Sequence, residues 1–309
     1  MKTKIKICPP ALKCGKISGH KKINQKNKDM PRKESNQSIS GRLKTKIVAI
    51  GLVLSFALPA GAAFDGKQQV KAVVNGKKKN YKVPTDSSVY QTIFALPDYN
   101  CQGYPTLADC YNDRLLGRSD QREALAPLVR WLNKKIKKSG DRVRAAASLV
   151  QNIDYDYNKS TGTEIIDSGR GHGSRYPYET LFENSGICSE KSSLIVYLLK
   201  ELGYGTAKIV FLSPNHEVAG VKCAPEYDFR DTGYCIIQPN YRKMITFEGS
   251  QKDEDPYLIT VLSDGKTLKA KSDWKDSRKY WEIMNSIEDG TYTKKQAKAY
   301  KKLIKKYGL

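Results

Sequence analysis

Three side chains in one stretch of this chain are of the types that thiol chemistry needs: Cys188, His216 and Gln238. They lie in Gly186-Ile187-Cys188, in Pro214-Asn215-His216-Glu217-Val218-Ala219-Gly220-Val221 and in Gly233-Tyr234-Cys235-Ile236-Ile237-Gln238-Pro239. A cysteine attacks as its thiolate, and its pKa of about 8.5 falls when it opens a helix or stands beside an imidazolium. The residues after Cys188 have a helical pattern. The cysteine therefore falls in a first turn, where a lowered pKa is expected and where N–H groups can hold a developing oxyanion. His216 is one of three histidines, and the other two, His20 and His172, fall in a basic N-terminal stretch and a Gly-rich loop. It is the candidate base, set against the plainer reading of a part-buried structural histidine. By strand alternation Gln238 shares a face with Tyr234 and Ile236, and its amide oxygen can accept the second N–H of the imidazole. An amide orients the ring but cannot neutralise an imidazolium as a carboxylate would. Asp228, Asp231 and Glu248 are the alternative acids. The chemistry this implies is attack on an amide carbonyl, a thioester, and release to water or to an amine.

The elements that must position these residues follow from periodicity. Residues 188–202 place Leu194, Ile195, Leu198, Leu199 and Leu202 on one helix face, and Gly203 stops the helix. Strands are predicted at 207–212, 216–222 and 233–238, with 243–247 and 257–262 as further candidates. Helical stripes occupy 120–136 and 141–153, and again 274–287 and 294–307. The last of these is very basic and either touches an anionic surface or is simply a solvated face. The turn-rich stretch 154–175 holds His172 between two glycines, and is expected to form a solvated rim. A helix followed by a sheet predicts an α+β layer, the cysteine helix packed on an antiparallel sheet that carries the histidine.

At 309 residues the chain can bury a sizeable core. Its net charge is +22, of which residues 1–46 contribute +12, from 14 Lys/Arg against Asp29 and Glu34. That tail lacks apolar periodicity and is expected to be disordered. No RNP, zinc-finger or helix-turn-helix pattern accompanies the charge, so a membrane or wall contact is expected rather than nucleic acid. Residues 47–64 carry no charge, follow Arg42, Lys44 and Lys46, and contain Ala60-Gly61-Ala62-Ala63. They read as a secretory signal or an uncleaved anchor, either of which exports the C-terminal body of the chain. The basic region ahead is long for a leader, and a start at Met30 instead of Met1 would make it ordinary.

Five of the seven cysteines lie beyond that leader. Cys101 and Cys110 bracket one loop, and Cys223 and Cys235 another. Two local disulfides would leave Cys188 as the odd thiol, although all four could equally be reduced. Cys8, Cys14 and His20 supply too few ligands for a zinc site, and the set Cys188, His216, Cys223 and Cys235 matches no common zinc spacing. No metal and no cofactor is expected. The chain divides into a basic tail or extended leader at 1–46, a signal peptide or anchor at 47–63, an N-terminal segment with a helix at 64–140, a core at 141–262, and basic C-terminal helices at 263–309.

The three motifs, in this order, resemble the transglutaminase-like superfamily. Its exported microbial members carry a G-x-C helix start, an H-x-x-x-G-V strand, and a Gly-Tyr strand that ends in an acid and a proline. Tyr176-Pro177-Tyr178-Glu179-Thr180-Leu181 and Val150-Gln151-Asn152-Ile153-Asp154-Tyr155 are similar to that group as well, and the likeness covers roughly residues 141–250. The resemblance implies a papain-like α+β core, with Cys188, His216 and Gln238 as the catalytic set and a protein or peptide as substrate. Gln238 stands where the family usually has an acid. The superfamily includes proteases, deamidases and inactive members, so the resemblance fixes no single reaction.

Overall fold

In the computed structural model, which describes residues 66–162, 170–212, 215–246 and 256–309, the chain opens with a hairpin. Strands β1 (Lys67–Val74) and β2 (Lys77–Pro84) turn at Asn75-Gly76, where both residues have positive φ. That conformation matches the strand twist and suits this dipeptide. The hairpin buries Val70, Ala72, Val74 and Val83. Helix α1 (Ser87–Phe94) comes next, capped by the Asp86 carboxylate on the N–H groups of Ser88 and Val89. A short helix α2 (Leu107–Cys110) continues into a wide helical turn at Tyr111–Leu116. Helices α3 (Ser119–Lys135) and α4 (Ser139–Gln151) then occupy the two predicted stripes. The tail and leader regions, with Cys8, Cys14, His20 and Met30, lie outside the described residues, as does Glu248.

The segments that frame the cysteine lie further along the chain. Strand β3 (Asp154–Tyr155) and the turn helix α5 (Tyr157–Ser160) precede α6 (Pro177–Phe182). Strand β4 (Ser185–Gly186) pairs in parallel with β3, and α7 begins at Cys188 and ends at Glu201. Helix α7 is the centre of the molecule, because every residue from Glu190 to Leu199 is buried. It lies against an antiparallel sheet of order β7-β6-β5-β8, formed by β5 (Thr206–Phe211), β6 (His216–Lys222), β7 (Tyr234–Ile237) and β8 (Tyr257–Leu262). Helices α8 (Lys271–Glu288) and α9 (Lys294–Tyr307) close the chain. This is an α+β fold, with the cysteine helix packed on an antiparallel sheet.

Strand alternation sorts the sheet into two faces. Val210, Ala219, Val221, Cys235 and Ile237 join the core around α7, whereas Ala207, Ile209, Phe211, Val218, Tyr234 and Ile236 form a second cluster behind it, with Phe229. One predicted strand is missing. Among the described residues of that stretch, Lys243 and Met244 are irregular and Ile245-Thr246 turn, Thr246 with positive φ, and one backbone bond, Thr246 N–H to Ile236 O at 2.9 Å, ties them to the sheet. Both expected disulfides form, Cys101–Cys110 and Cys223–Cys235, as suits an oxidising compartment. Cys188 is the free cysteine among the described residues, none of whose helices is long and apolar enough to cross a membrane. Cys223–Cys235 closes the turn between β6 and β7. Replacing both residues by serine is expected to lower stability by about 3 kcal/mol through restored loop freedom in the unfolded chain, read as a shift in the urea midpoint.

Candidate active site

Cys188 is half-buried at the first position of α7, and the turn before it is held by one carboxylate. Glu190 has no exposed side-chain surface. Its Oε2 accepts the N–H of Ile187 at 2.9 Å, and its Oε1 accepts the N–H of Arg175 at 2.8 Å. Lys159 Nζ lies 2.5 Å from Oε1 and the Arg175 guanidinium 3.2 Å from Oε2. Arg175 in turn grips Glu183 at 2.6 Å and Asp156 at 2.9 Å. Two segments remote in the sequence, at Lys159 and at Arg175, thus meet the start of α7 at the residue two places after the cysteine. Beside it, Lys191 is fully buried and donates to Ile153 O at 2.6 Å.

The histidine arrives from the sheet. His216 is the first residue of β6, opposite Phe211 in the register, with the two rings near parallel at a centroid distance of 6.4 Å. Its Nε2 lies 2.9 Å from Gln238 Oε1, at the end of β7. An amide oxygen accepts only, so Nε2 carries the proton and Nδ1 of the neutral ring is left as the basic nitrogen. Gln238 is buried, and Gln151 of α4 fixes its backbone by donating to Gln238 O at 2.8 Å and to Lys243 O at 3.1 Å. Of the alternative acids, Asp228 accepts the N–H of Gly233 at 2.7 Å, Asp231 is exposed, and Glu248 lies outside the described residues. Gln238 is therefore the group that the described fold brings to the imidazole.

The thiol departs from expectation. Burial pushes Cys188 above the ordinary thiol value, and the Glu217 carboxylate adds to this. The N–H groups of Glu217 and Ser189 and the Lys208 ammonium pull the other way without prevailing. Loss of water around a thiolate outweighs the helix N-terminus here. The same neighbours locate the sulfur. It meets the backbone of Glu217, the residue after His216, so helix start and strand start converge. Beneath them Lys208 and Glu217 form a tight ion pair, and Lys208 also lies over the Tyr111 ring at 5.1 Å. Tyr155 is close enough for a charge on Cys188 to raise its pKa, second only to burial. Its ring meets Tyr157 edge-on at 5.0 Å, and the two line an open hollow with Asp156, Asn158 and Ser185.

His172 is not a solvated rim residue, because it is 5% exposed. Its Nδ1 faces Ser174 O at 2.8 Å, and its Nε2 faces Ile93 O at 3.1 Å and Glu179 at 3.3 Å. It clips the stretch 170–175 to α1. Burial pushes Glu179 up to about 7 and lowers His172, so this neighbourhood resists charge. Sequence reading also passed over Glu190, Lys159, Arg175, Lys191 and Gln151. The one local signal was Glu190, three residues after the helix cap at Ile187, the spacing from which a side chain reaches back to the cap N–H.

Two measurements test this framework. Glu190→Gln leaves Arg175 and Lys159 without their buried counter-charge, and is expected to cost about 3 kcal/mol in urea unfolding. Burial lowers Lys191 to about 8 from an ordinary 10.5. The unfolded chain then binds the extra proton between those values, so stability should climb from pH 8 to 10.5, and the penalty is in full force below pH 8. Lys191→Met should remove that climb and gain about 1–2 kcal/mol at pH 7 after loss of the bond to Ile153. The check is the difference between the two proteins' urea midpoints across pH.

Residues 120–248 match a family model described as a transglutaminase-like domain. No curated protein matches the chain.

Proposed function

We propose that this transglutaminase-like domain is an exported thiol enzyme that cleaves or transfers acyl groups at amide bonds of proteins or wall peptides, with Cys188 as nucleophile, His216 as base and Gln238 as orienter. The observation that carries the reading is the 2.9 Å contact from Gln238 Oε1 to His216 Nε2, made where the strand start meets the sulfur of a free, helix-initiating cysteine. Both disulfides and the uncharged stretch at 47–64 support export.

The chemistry is set by the protonation states. Burial holds Cys188 as a thiol, so its proton has to leave as sulfur attacks. The thiol proton passes to His216 Nδ1 as sulfur bonds to the amide carbonyl carbon and the carbonyl electron pair moves to oxygen. The N–H groups at the start of α7 face that oxyanion, where helix termini favour negative charge. Collapse breaks the C–N bond, and the imidazolium returns its proton to the leaving amine. Water or a second amine, deprotonated in turn by His216, then attacks the thioester and frees the thiol. The hollow lined by Tyr155 and Tyr157, near enough to Cys188 for its charge to act on Tyr155, is the approach that this reading assigns to the substrate.

A second reading has its own observation. A raised thiol and a neutral orienter are also what a catalytically silent surface-binding module would retain. Alkylation of Cys188 across pH separates the two. In an enzyme, His216→Ala slows both alkylation near neutral pH and turnover of a peptide substrate, the latter by about 100-fold or more. Gln238→Glu puts a carboxylate on the Nε2 proton, favours the thiolate–imidazolium pair, and should speed alkylation at pH 6.5 by about tenfold. Alkylation untouched by His216→Ala, together with no acyl transfer to water or to a labelled amine, would leave the binding module.

A further inference from the structure

Helix α9 presents lysine on every turn of one face. Lys294, Lys295, Lys298, Lys301, Lys302 and Lys305 are all exposed, and the sequence from Gly290 to Leu309 contains no acid. Neighbours three or four apart on a helix touch, so Lys298 faces like charge on both sides, at 294 and 295 and at 301 and 302. Lys294 and Lys295 also sit at the positive end of the helix dipole, where the first turn has no acidic residue. Among the described residues, the ion pair made by α9 is that of Lys306 with Asp276 at 2.5 Å. The stripe therefore weakens the helix that carries it, and folding alone gives no reason for it. A second group of lysines joins it. Lys77, Lys78 and Lys79 are exposed at the start of β2, next to the hairpin turn that is bound to the end of α9 through Gly76 N–H to Lys306 O at 2.8 Å.

The opposite face of α9 is already used. Leu303 is buried with Tyr280 and Ile283 of α8, and Ala299, Tyr300, Ile304 and Tyr307 pack around them. The helix thus has no free apolar face to insert into a bilayer and no aromatic platform for bases. Its cations are all lysines, point charges without the fork that arginine offers to individual phosphates. Trp281, Ile287 and Tyr292 are exposed on α8 and on the turn into α9, and Trp and Tyr are side chains that settle at headgroup depth. We propose that the α9 lysine face, extended by the β1–β2 turn, docks the domain flat on an anionic phospholipid surface. The contact is peripheral and electrostatic. It lies on elements separate from the Cys188 site, so it holds whichever reading of that site is correct.

The test is amine acetylation of the full-length chain, mapped residue by residue by mass spectrometry. Vesicles of phosphatidylcholine with about 30% phosphatidylglycerol are compared with phosphatidylcholine alone, which controls for any apolar binding by the N-terminal segment. The proposal expects Lys294, Lys298, Lys301, Lys302 and Lys305 to be labelled about fivefold more slowly with the anionic vesicles at about 0.1 M salt, and the protection to vanish near 0.5 M. Lys298→Glu, Lys301→Glu and Lys302→Glu together should abolish protection of the remaining stripe while leaving Cys188 alkylation unchanged, which shows that the fold persists. Equal labelling with and without anionic vesicles overturns the proposal, as does protection by neutral vesicles. Stronger protection by a single-stranded oligonucleotide at equal phosphate concentration overturns the choice of lipid.

Discussion

The carboxylate of Glu190 is the constraint on which the rest of the site depends. It is wholly buried, yet it meets the N–H groups of Ile187 and Arg175, the Lys159 ammonium and the Arg175 guanidinium, which come from three segments. A buried carboxylate is tolerable only when paired in this way. The pairing therefore commits β3 with its adjoining turn, the 170–175 stretch, and the start of α7 to a single arrangement. Arg175 passes the constraint on to Glu183 and Asp156, and Arg170 extends it to Glu179 and Glu183. Cys188 owes its position to this ionic framework as much as to the apolar packing of Leu194, Leu198 and Leu199 beneath it.

Around this anchor the site is assembled from opposite sides. Helix α7 carries Cys188, the sheet carries His216, and Gln151 of α4 braces the backbone of Gln238. The sulfur meets the backbone of Glu217, one residue after His216, so small shifts of helix against sheet would alter how the two starts face each other. The buried Lys208–Glu217 pair lies at that junction and stiffens it, with Glu217 also raising the thiol. The lysine face of α9 belongs to a separate part of the molecule, where exposed charge rather than buried charge is the costly feature.

Much of the fold was legible because it rests on periodicity. The five long helices, α3, α4, α7, α8 and α9, and the strands that carry His216 and Gln238 all obey apolar spacings that can be counted along the chain. The hairpin at 67–84 went unread, although Asn75-Gly76 is a strong turn signal, because the basic composition around it obscured the alternation of its strands. The segment 243–247 misled, because an apolar run reads as a strand whether or not a sheet edge is available to it. Its described residues pass the end of β7 with one bond and turn away. His172 misled for the opposite reason, since glycines suggest exposure while α1, far off in sequence, covers the loop.

By itself the sequence determined which residues could do chemistry and on which element each would stand: a cysteine opening a helix, a histidine opening a strand, an amide closing another, with disulfides available for the other four cysteines of the body. Only the tertiary structure decided that His216 meets Gln238, that Glu190 and Lys191 are buried, and that Cys188 rests as a thiol. Periodicity is a property of neighbours along the chain. Protonation and burial depend on water excluded by segments remote from one another, and no local pattern records which segments those are.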